Sequence, residues 1–360
     1  MTVAPPPNAP EAPSPEPPSK PRLWRRGIRW IWLAVRSFAM LCLAGWAVLA
    51  VYFSDLSGRP PRTLLALLVA AAFVGALFIR KPKYAWAIAF VVPFLVVLAW
   101  FFSIHPSNDR DWQQDVAVLP YATIDGNHVM VHNIRNFHWT GENEATPAYY
   151  DKEFDLDKLR VVDFILSYWG SKAIAHTIVS FGFDGDQYLA MSIETRKEKG
   201  ENYSAVQGFF RQYELTYVLA DERDVLGVRT DHRNEEVYMF RTRINPAHAR
   251  AMLLDYLKTA NQLKEQPVFY NALTTNCTTS ILPHVQVFAP TARLSAALLL
   301  NGYCAESIYD HGGFDHSMPF DELMRRGHIN DAAKAAGESP DFSARIRQGV
   351  PTPPPRPSDG

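Results

Sequence analysis

The sequence has few cysteines and almost no net charge. Its 360 residues include three cysteines and carry a formal net charge of −1. Three cysteines are too few for a disulfide scaffold, and the balanced charge gives no electrostatic basis for binding nucleic acid. The sequence also lacks a glycine-rich phosphate loop and the G-x-S-x-G motif of serine hydrolases. These absences argue against nucleic-acid-binding proteins, P-loop NTPases and α/β-hydrolases.

Proline is concentrated at the two ends of the chain. Residues 1–24 begin with MTVAPPPNAPEAPSPEPPS, and residues 339–360 end in VPTPPPRPSDG. Segments of this composition bury too little apolar surface to offset the loss of chain entropy. We therefore predict a disordered cytoplasmic tail at 1–24 and a second disordered tail at 339–360.

Three apolar runs follow the first tail. They cover residues 37–53, 63–79 and 84–104, and charged residues occur only in the short links between them. Each run approaches or meets the 17–25 residues that a helix needs to cross a bilayer, where it satisfies its own backbone groups. We predict a three-helix transmembrane anchor over residues 25–104.

Lysine and arginine in the flanking segments predict the orientation. Six basic residues precede the first run, and Arg80, Lys81 and Lys83 make up most of the second link, whereas the first link contains Arg59 and Arg62. Because basic loops stay in the cytoplasm, the N-terminus and the second link are expected inside and everything after residue 104 outside. In a bacterium this describes a multi-pass inner-membrane protein with a periplasmic domain.

Residues 105–338 form the predicted soluble domain. A helix is expected over 246–265, because Asn245 is suited to cap it and Pro246 to its first turn. The pattern after residue 290 is mostly helical. Strands followed by helices indicate an α+β fold with an antiparallel sheet. The strand-like segments are 115–119, 128–134, 175–183, 187–195, 215–219, 225–229 and 237–243.

Cys277 is the candidate nucleophile. It lies in NALTTNCTTSIL (271–282), where a polar loop leads into an apolar run. This pattern predicts a helix that begins near Cys277, with Thr274, Thr275 or Asn276 as its cap. A thiol at a helix N-terminus has a lowered pKa, and the free N–H groups there could hold an oxyanion, with Asn276 and Thr278 supporting the site.

His176 is the candidate general base, at the start of the apolar segment 175–183. The following hairpin decides which side chain of the return strand faces it. If the hairpin loop has an odd number of residues, Glu194 or Ser192 lies on the same face of the sheet as His176. If the number is even, Ile193 or Thr195 lies there instead. Glu194 is our candidate for the residue that orients the imidazole through its second ring nitrogen.

Other interpretations of these residues remain open at this point. Cys277 could be a buried small side chain, or it could form a disulfide with Cys304 in an exported domain. A metal site built from His128, His132 and His138 is not expected, because i and i+4 on a strand lie ~13 Å apart. No cofactor is predicted.

Four segments resemble the Lnb N-terminal periplasmic domain family. They are SYWG at 167–170, IAHTIVSFGF at 174–183, SIETR at 192–196 and NALTTNCTT at 271–279. The order of His176 before Asn276 and Cys277 is also similar to permuted papain-like thiol enzymes. The resemblance, over roughly residues 112–290, implies a bacterial, thiol-dependent acyltransferase connected with lipoprotein N-acylation, with membrane lipids and lipoproteins as partners. A cysteine amidase or peptidase of the cell envelope and a non-catalytic envelope binding module are the alternatives.

Overall fold

The computed structural model describes residues 22–54, 59–79, 82, 84–293 and 301–353. The chain divides into two compact units, the first holding the apolar helices and the second beginning at residue 102, with residues 53–55 added to it. The helices of the first are α1 (Arg22–Tyr52), α2 (Arg59–Phe78) and α3 (Ala85–Ser103). Each contains a stretch long and apolar enough to cross a membrane. The three predicted helices are confirmed, and their insertion in a bilayer stays a prediction.

The second unit is built on an eight-stranded sheet. Its strand order is β1-β2-β9-β8-β7-β6-β10, with β5 paired to β2, and β3 and β4 form a small separate ladder. The neighbours pair in antiparallel fashion except β2 and β9, which share a parallel bridge. The strands are β1 (Tyr121–Asp125), β2 (His128–Arg135), β3 (His138–Trp139), β4 (Ala145–Thr146), β5 (Tyr149–Asp155), β6 (Leu159–Tyr168), β7 (Ala175–Phe183), β8 (Gln187–Arg196), β9 (Glu214–Ala220) and β10 (Glu236–Arg241).

Helices cover the sheet, which makes the domain α+β as predicted. Among the described residues of this unit, the α-helices are α4 (Glu222–Gly227), α5 (Pro246–Glu265), α6 (Ile281–Gln286), α7 (Cys304–Asp310), α8 (Phe320–Gly327), α9 (Asn330–Ala336) and α10 (Phe342–Arg345). Short 3-10 turns lie at Gln114–Val116, Leu156–Lys158, Gln207–Phe209 and Asn301–Tyr303, and a π-helical turn at Val228–His232.

Helix α5 begins and ends at the predicted residues. The Asn245 side chain accepts a hydrogen bond from the His248 N–H, and Pro246 occupies the first turn. The buried stripe of α5 packs with β7 and β8 in the largest apolar cluster. A second cluster joins sheet residues such as Ile165 and Ile178 to the C-terminal helices. The core therefore consists of two apolar layers around the sheet.

Two predicted strands are wrong. Residues 225–229 lie in α4 and the π-helical turn, because Asp221 caps a helix there by accepting a hydrogen bond from the Arg223 N–H. Residues 115–119 contain a 3-10 turn at Gln114–Val116. Conversely, five strands of the structure were not predicted, namely β1, β3, β4, β5 and β6. Strand β6 is buried along most of its length, so it lacks the alternation of polar and apolar residues that marks a half-exposed strand.

The segment after residue 339 departs from the expected disorder. Phe342, Ile346 and Val350 are buried in the second apolar cluster. The Arg347 guanidinium binds Asp163 on β6 at 2.8 Å and Glu222 on α4 at 2.6 Å. These contacts tie the segment to the domain. Residues 1–21 and 354–360 of the two predicted tails lie outside the described residues.

Candidate active site

The β7–β8 hairpin positions His176. Its ladder runs from Phe183 opposite Gln187 to Ile178 opposite Ser192, so the loop has three residues. Gly185 and Asp186 close it with φ of +74° and +54°, values that suit glycine and short polar residues. An odd loop was one of the two possibilities open from the sequence. Continuing this register by two residues brings His176 opposite Glu194.

The His176 imidazole is buried against two polar side chains of β8. Its Nε2 lies 2.6 Å from Ser192 Oγ and 3.1 Å from Glu194 Oε1. Ser192 Oγ in turn donates to Glu194 Oε1 at 2.6 Å, so it accepts a hydrogen bond from His176 Nε2–H. This pattern assigns the proton of the neutral ring to Nε2 and leaves Nδ1 as the acceptor.

A buried cation holds Glu194. Arg229 Nη2 binds Glu194 Oε1 at 3.0 Å, and Nη1 binds Glu235 Oε2 at 3.0 Å. Glu235 also accepts a hydrogen bond from Ser167 Oγ at 2.5 Å. Burial would raise the pKa of Glu194, but the charges of His176 and Arg229 and their hydrogen bonds hold it well below its ordinary value. The carboxylate beside His176 is therefore ionised and fixed in place.

Asn276 shapes the loop that carries Cys277. Its Oδ1 accepts the backbone N–H groups of Thr278 and Thr279 at 3.0 and 2.9 Å, and its Nδ2 donates to the Ala272 carbonyl at 2.9 Å. Residues 277–280 form turns, and the regular helix α6 begins only at Ile281. The sequence placed the helix start at Cys277. Helix α6 has only six residues, and Asn276 already accepts two of the nearby N–H groups. A helix N-terminus therefore does not explain a lowered pKa of Cys277, and that prediction was wrong.

Burial and His176 have opposite effects on the pKa of Cys277. The thiol is half-buried, and burial would raise its pKa. A hydrogen bond with His176 and the charge of that ring outweigh burial, helped by the Thr278 hydroxyl and the Thr177 N–H, so the pKa of Cys277 is lowered. Burial lowers the pKa of His176, but the charge of Glu194 and the interactions with Cys277 and Glu194 together raise that pKa to about 9. The pair therefore favours a thiolate next to an imidazolium.

Asn301 contributes to the site and was not predicted. Its Nδ2 lies 3.8 Å from Cys277 Sγ and 3.0 Å from Thr278 Oγ1. Its Oδ1 accepts the Ala175 N–H at 2.8 Å, which orients the amide. The sequence carries no signal for this residue, because it is a single asparagine far from both motifs. Arg229 was also missed, since the sequence placed it in a strand.

The structure also places the other cysteine and histidine candidates. Cys277 and Cys304 are free thiols, and burial raises the pKa of Cys304 to about 12. His128 and His132 pair with Glu153 and Asp151 on β5, each at 2.7 Å. Within the described ranges, no group of three or more His, Cys, Asp or Glu side chains is arranged to hold a metal ion.

Residues 145–305 match the family model described as the Lnb N-terminal periplasmic domain. This is the family that the motifs resemble, and the matched segment contains His176, Glu194, Cys277 and Asn301. No curated protein and no solved structure matches the chain. The periplasmic domain and the three apolar helices together indicate a membrane-anchored protein of the cell envelope.

Proposed function

We propose that this protein is a thiol-dependent acyltransferase of the bacterial inner membrane, with its active site in the periplasm and Cys277 as nucleophile. The observation that carries the proposal is the line of interacting side chains from Glu194 through His176 to Cys277. A thiol with a lowered pKa, an imidazole that interacts with it and a fixed carboxylate beside that imidazole suit nucleophilic catalysis by cysteine.

In the first half-reaction, Cys277 transfers its proton to His176, and the thiolate attacks the ester carbonyl of a phospholipid or a diacylglyceryl lipoprotein. The tetrahedral intermediate collapses to a thioester, the ester C–O bond breaks, and His176 returns the proton to the departing alcohol. Glu194 and Ser192 hold Nε2–H and stabilise the imidazolium.

In the second half-reaction, an amine such as a lipoprotein N-terminus attacks the thioester. His176 removes a proton from the amine, the C–S bond breaks, and an amide and the Cys277 thiolate result. The Asn301 amide near Cys277 is the candidate oxyanion donor, in place of the N–H groups that Asn276 occupies. Asn276 holds the loop that carries Cys277, and the Thr278 hydroxyl holds the Asn301 amide.

Labelling of the thioester tests the proposal. We expect the wild-type chain to be labelled by a thiol-reactive lipid analogue and Cys277→Ala to lose that label, because the remaining thiols lack an activating base. Cys304→Ala is the matched control, since its buried thiol has a raised pKa, and it should be labelled like wild type. Full labelling of Cys277→Ala would rule out this nucleophile.

The identity of the acceptor separates transfer from hydrolysis. A cysteine amidase or peptidase would use the same site with water as the acceptor. Mass analysis of products from phospholipid with and without an N-terminal amine peptide distinguishes the two. Amide formation supports the transferase, whereas free fatty acid in both reactions, or cleavage of a peptide substrate alone, supports the hydrolase. A Cys277 thiol that does not react with any alkylating reagent would favour the non-catalytic binding module.

A further inference from the structure

Exposed apolar side chains border the site on two sides. The first lip consists of Tyr203, Val206, Phe209 and Leu273, which are 44–55% exposed. The second lip consists of Trp169 and Tyr303, which are 45% and 46% exposed. Soluble domains rarely expose large apolar residues in groups, and such groups mark surfaces that meet an apolar partner.

The first lip is attached to the segment that leads to Cys277. The Gly208 carbonyl accepts the Ala272 N–H at 3.4 Å, and a Cβ at Gly208 would lie 3.2 Å from Tyr270 and 3.3 Å from Ala272. The Tyr203 ring lies edge-on to Tyr270 at 6.4 Å. The 203–210 loop therefore lies against the chain five residues before the nucleophile.

The second lip is attached to His176 and Asn301. The Tyr168 hydroxyl donates to the Gly302 carbonyl at 2.6 Å, and the Gly302 N–H donates to the Ala173 carbonyl at 3.1 Å. These bonds connect the loop after Trp169 to the turn that carries Asn301 and Tyr303. Since Asn301 lies beside Cys277, both lips adjoin the reactive thiol.

The loop of the first lip is also bonded to residues 102–104, where the second unit begins. Arg211, directly after the 203–210 loop, donates from Nη1 to the Ile104 carbonyl at 2.8 Å and to the Phe102 carbonyl at 3.4 Å. Helix α3 ends at Ser103. Residues 102–104 directly follow the third apolar run, so they are expected near the membrane surface if that run crosses the bilayer, and Arg211 ties the first lip to them.

We propose that the two lips insert into the interfacial region of the outer leaflet, so that Cys277 opens directly onto the bilayer. The role of this contact in acyl transfer rests on the proposed function. Tyrosine, tryptophan and phenylalanine are suited to this depth, because their rings combine an apolar body with affinity for the interface. The partner is a phospholipid surface, because Arg211 bonds the first lip to the residues that directly follow the third apolar run in the chain.

Photolabelling of the full-length chain tests this contact. The protein is reconstituted in phosphatidylethanolamine–phosphatidylglycerol vesicles that contain a phospholipid with a diazirine on its acyl chain, and adducts are mapped by mass spectrometry. We expect adducts on peptides containing residues 203–209 and Leu273 in wild type and equally in Cys277→Ala. The double variant Val206→Asp, Phe209→Asp should reduce lip adducts severalfold and slow thioester formation from bilayer lipid. Ile124→Asp, on β1 and also exposed, should change neither.

The outcomes separate this inference from the proposed function. Adducts confined to the three helices overturn the lipid contact, even if Cys277 forms a thioester. Lip adducts in a chain that forms no thioester support the contact and overturn the proposed function. Cross-links between the lips of two chains in place of lipid adducts overturn the contact in favour of self-association. Thermal unfolding of each variant checks that the domain is folded.

Discussion

At the scale of single residues, the site depends on one carboxylate. Glu194 helps to raise the pKa of His176 to about 9, and His176 lowers the pKa of Cys277. The sequence predicted all three residues, because each belongs to a local pattern. It could not predict Arg229 or Asn301, which reach the site through the fold and have no pattern of their own.

Glu194→Gln tests this coupling. Without the carboxylate, the pKa of His176 falls, the imidazolium beside the sulfur is less populated, and the pKa of Cys277 rises. The pH midpoint of Cys277 alkylation by iodoacetamide should therefore move to higher pH by about 1–3 units, measured in a Cys42→Ala, Cys304→Ala background. Glu153→Gln, which alters an exposed pair with His128, is the control. An unchanged midpoint in Glu194→Gln would contradict the electrostatic link.

Arg229→Met tests the buried ion network. The Arg229 side chain is 6% exposed, and its removal leaves Glu194 and Glu235 without their shared cation. Removal of one partner from a buried pair costs about 3–5 kcal/mol of unfolding free energy. Arg325→Met is the control, because its pair with Glu322 is largely exposed and contributes about 0–1 kcal/mol. Denaturant unfolding in detergent measures both, and equal losses would show that the Arg229 network is not stabilising.

At the scale of elements, predictability follows the burial pattern. Helix α5 and strands β7 and β8 were predicted almost to the residue, because a cap, a helical stripe and a Gly-containing turn mark their ends. Strand β6 was missed since both of its faces are buried. Residues 225–229 form a helix because the Asp221 cap prevails over an apolar run that resembles a strand.

The C-terminal segment supplies a test at this scale. Ile346 is fully buried against the sheet in the second apolar cluster. Ile346→Ala should lower the unfolding free energy by about 2–5 kcal/mol, since it removes buried methyl groups and leaves a cavity. Gln348→Ala, two residues away and exposed, should change it little. A disordered tail would give no difference between the two variants.

At the scale of the whole molecule, the anchor was predictable and the strand order was not. Long apolar runs are a direct consequence of bilayer thickness, so three helices follow from the sequence alone. The parallel bridge between β2 and β9 joins residues far apart in the chain, Arg135 and Ala220. Local patterns contain no information on such a pairing.

The predicted orientation can be measured with reporter fusions. The basic residues of the second link predict that an alkaline phosphatase fused after residue 83 is inactive, because it stays in the cytoplasm. The same reporter fused after residue 104 or residue 353 should be active. Activity after residue 83 and none after residue 104 would place the Cys277 site in the cytoplasm.

The two ion pairs of Arg347 have a consequence for biosynthesis. Ile346, Arg347 and Val350 complete contacts with strand β6 and helix α4, which are made almost two hundred and more than one hundred residues earlier. The ribosome must release residues 346–350 before these contacts form. Strand β6 and helix α4 are therefore fixed to each other by Arg347 only late in synthesis, after the β7–β8 hairpin that holds His176 has left the ribosome.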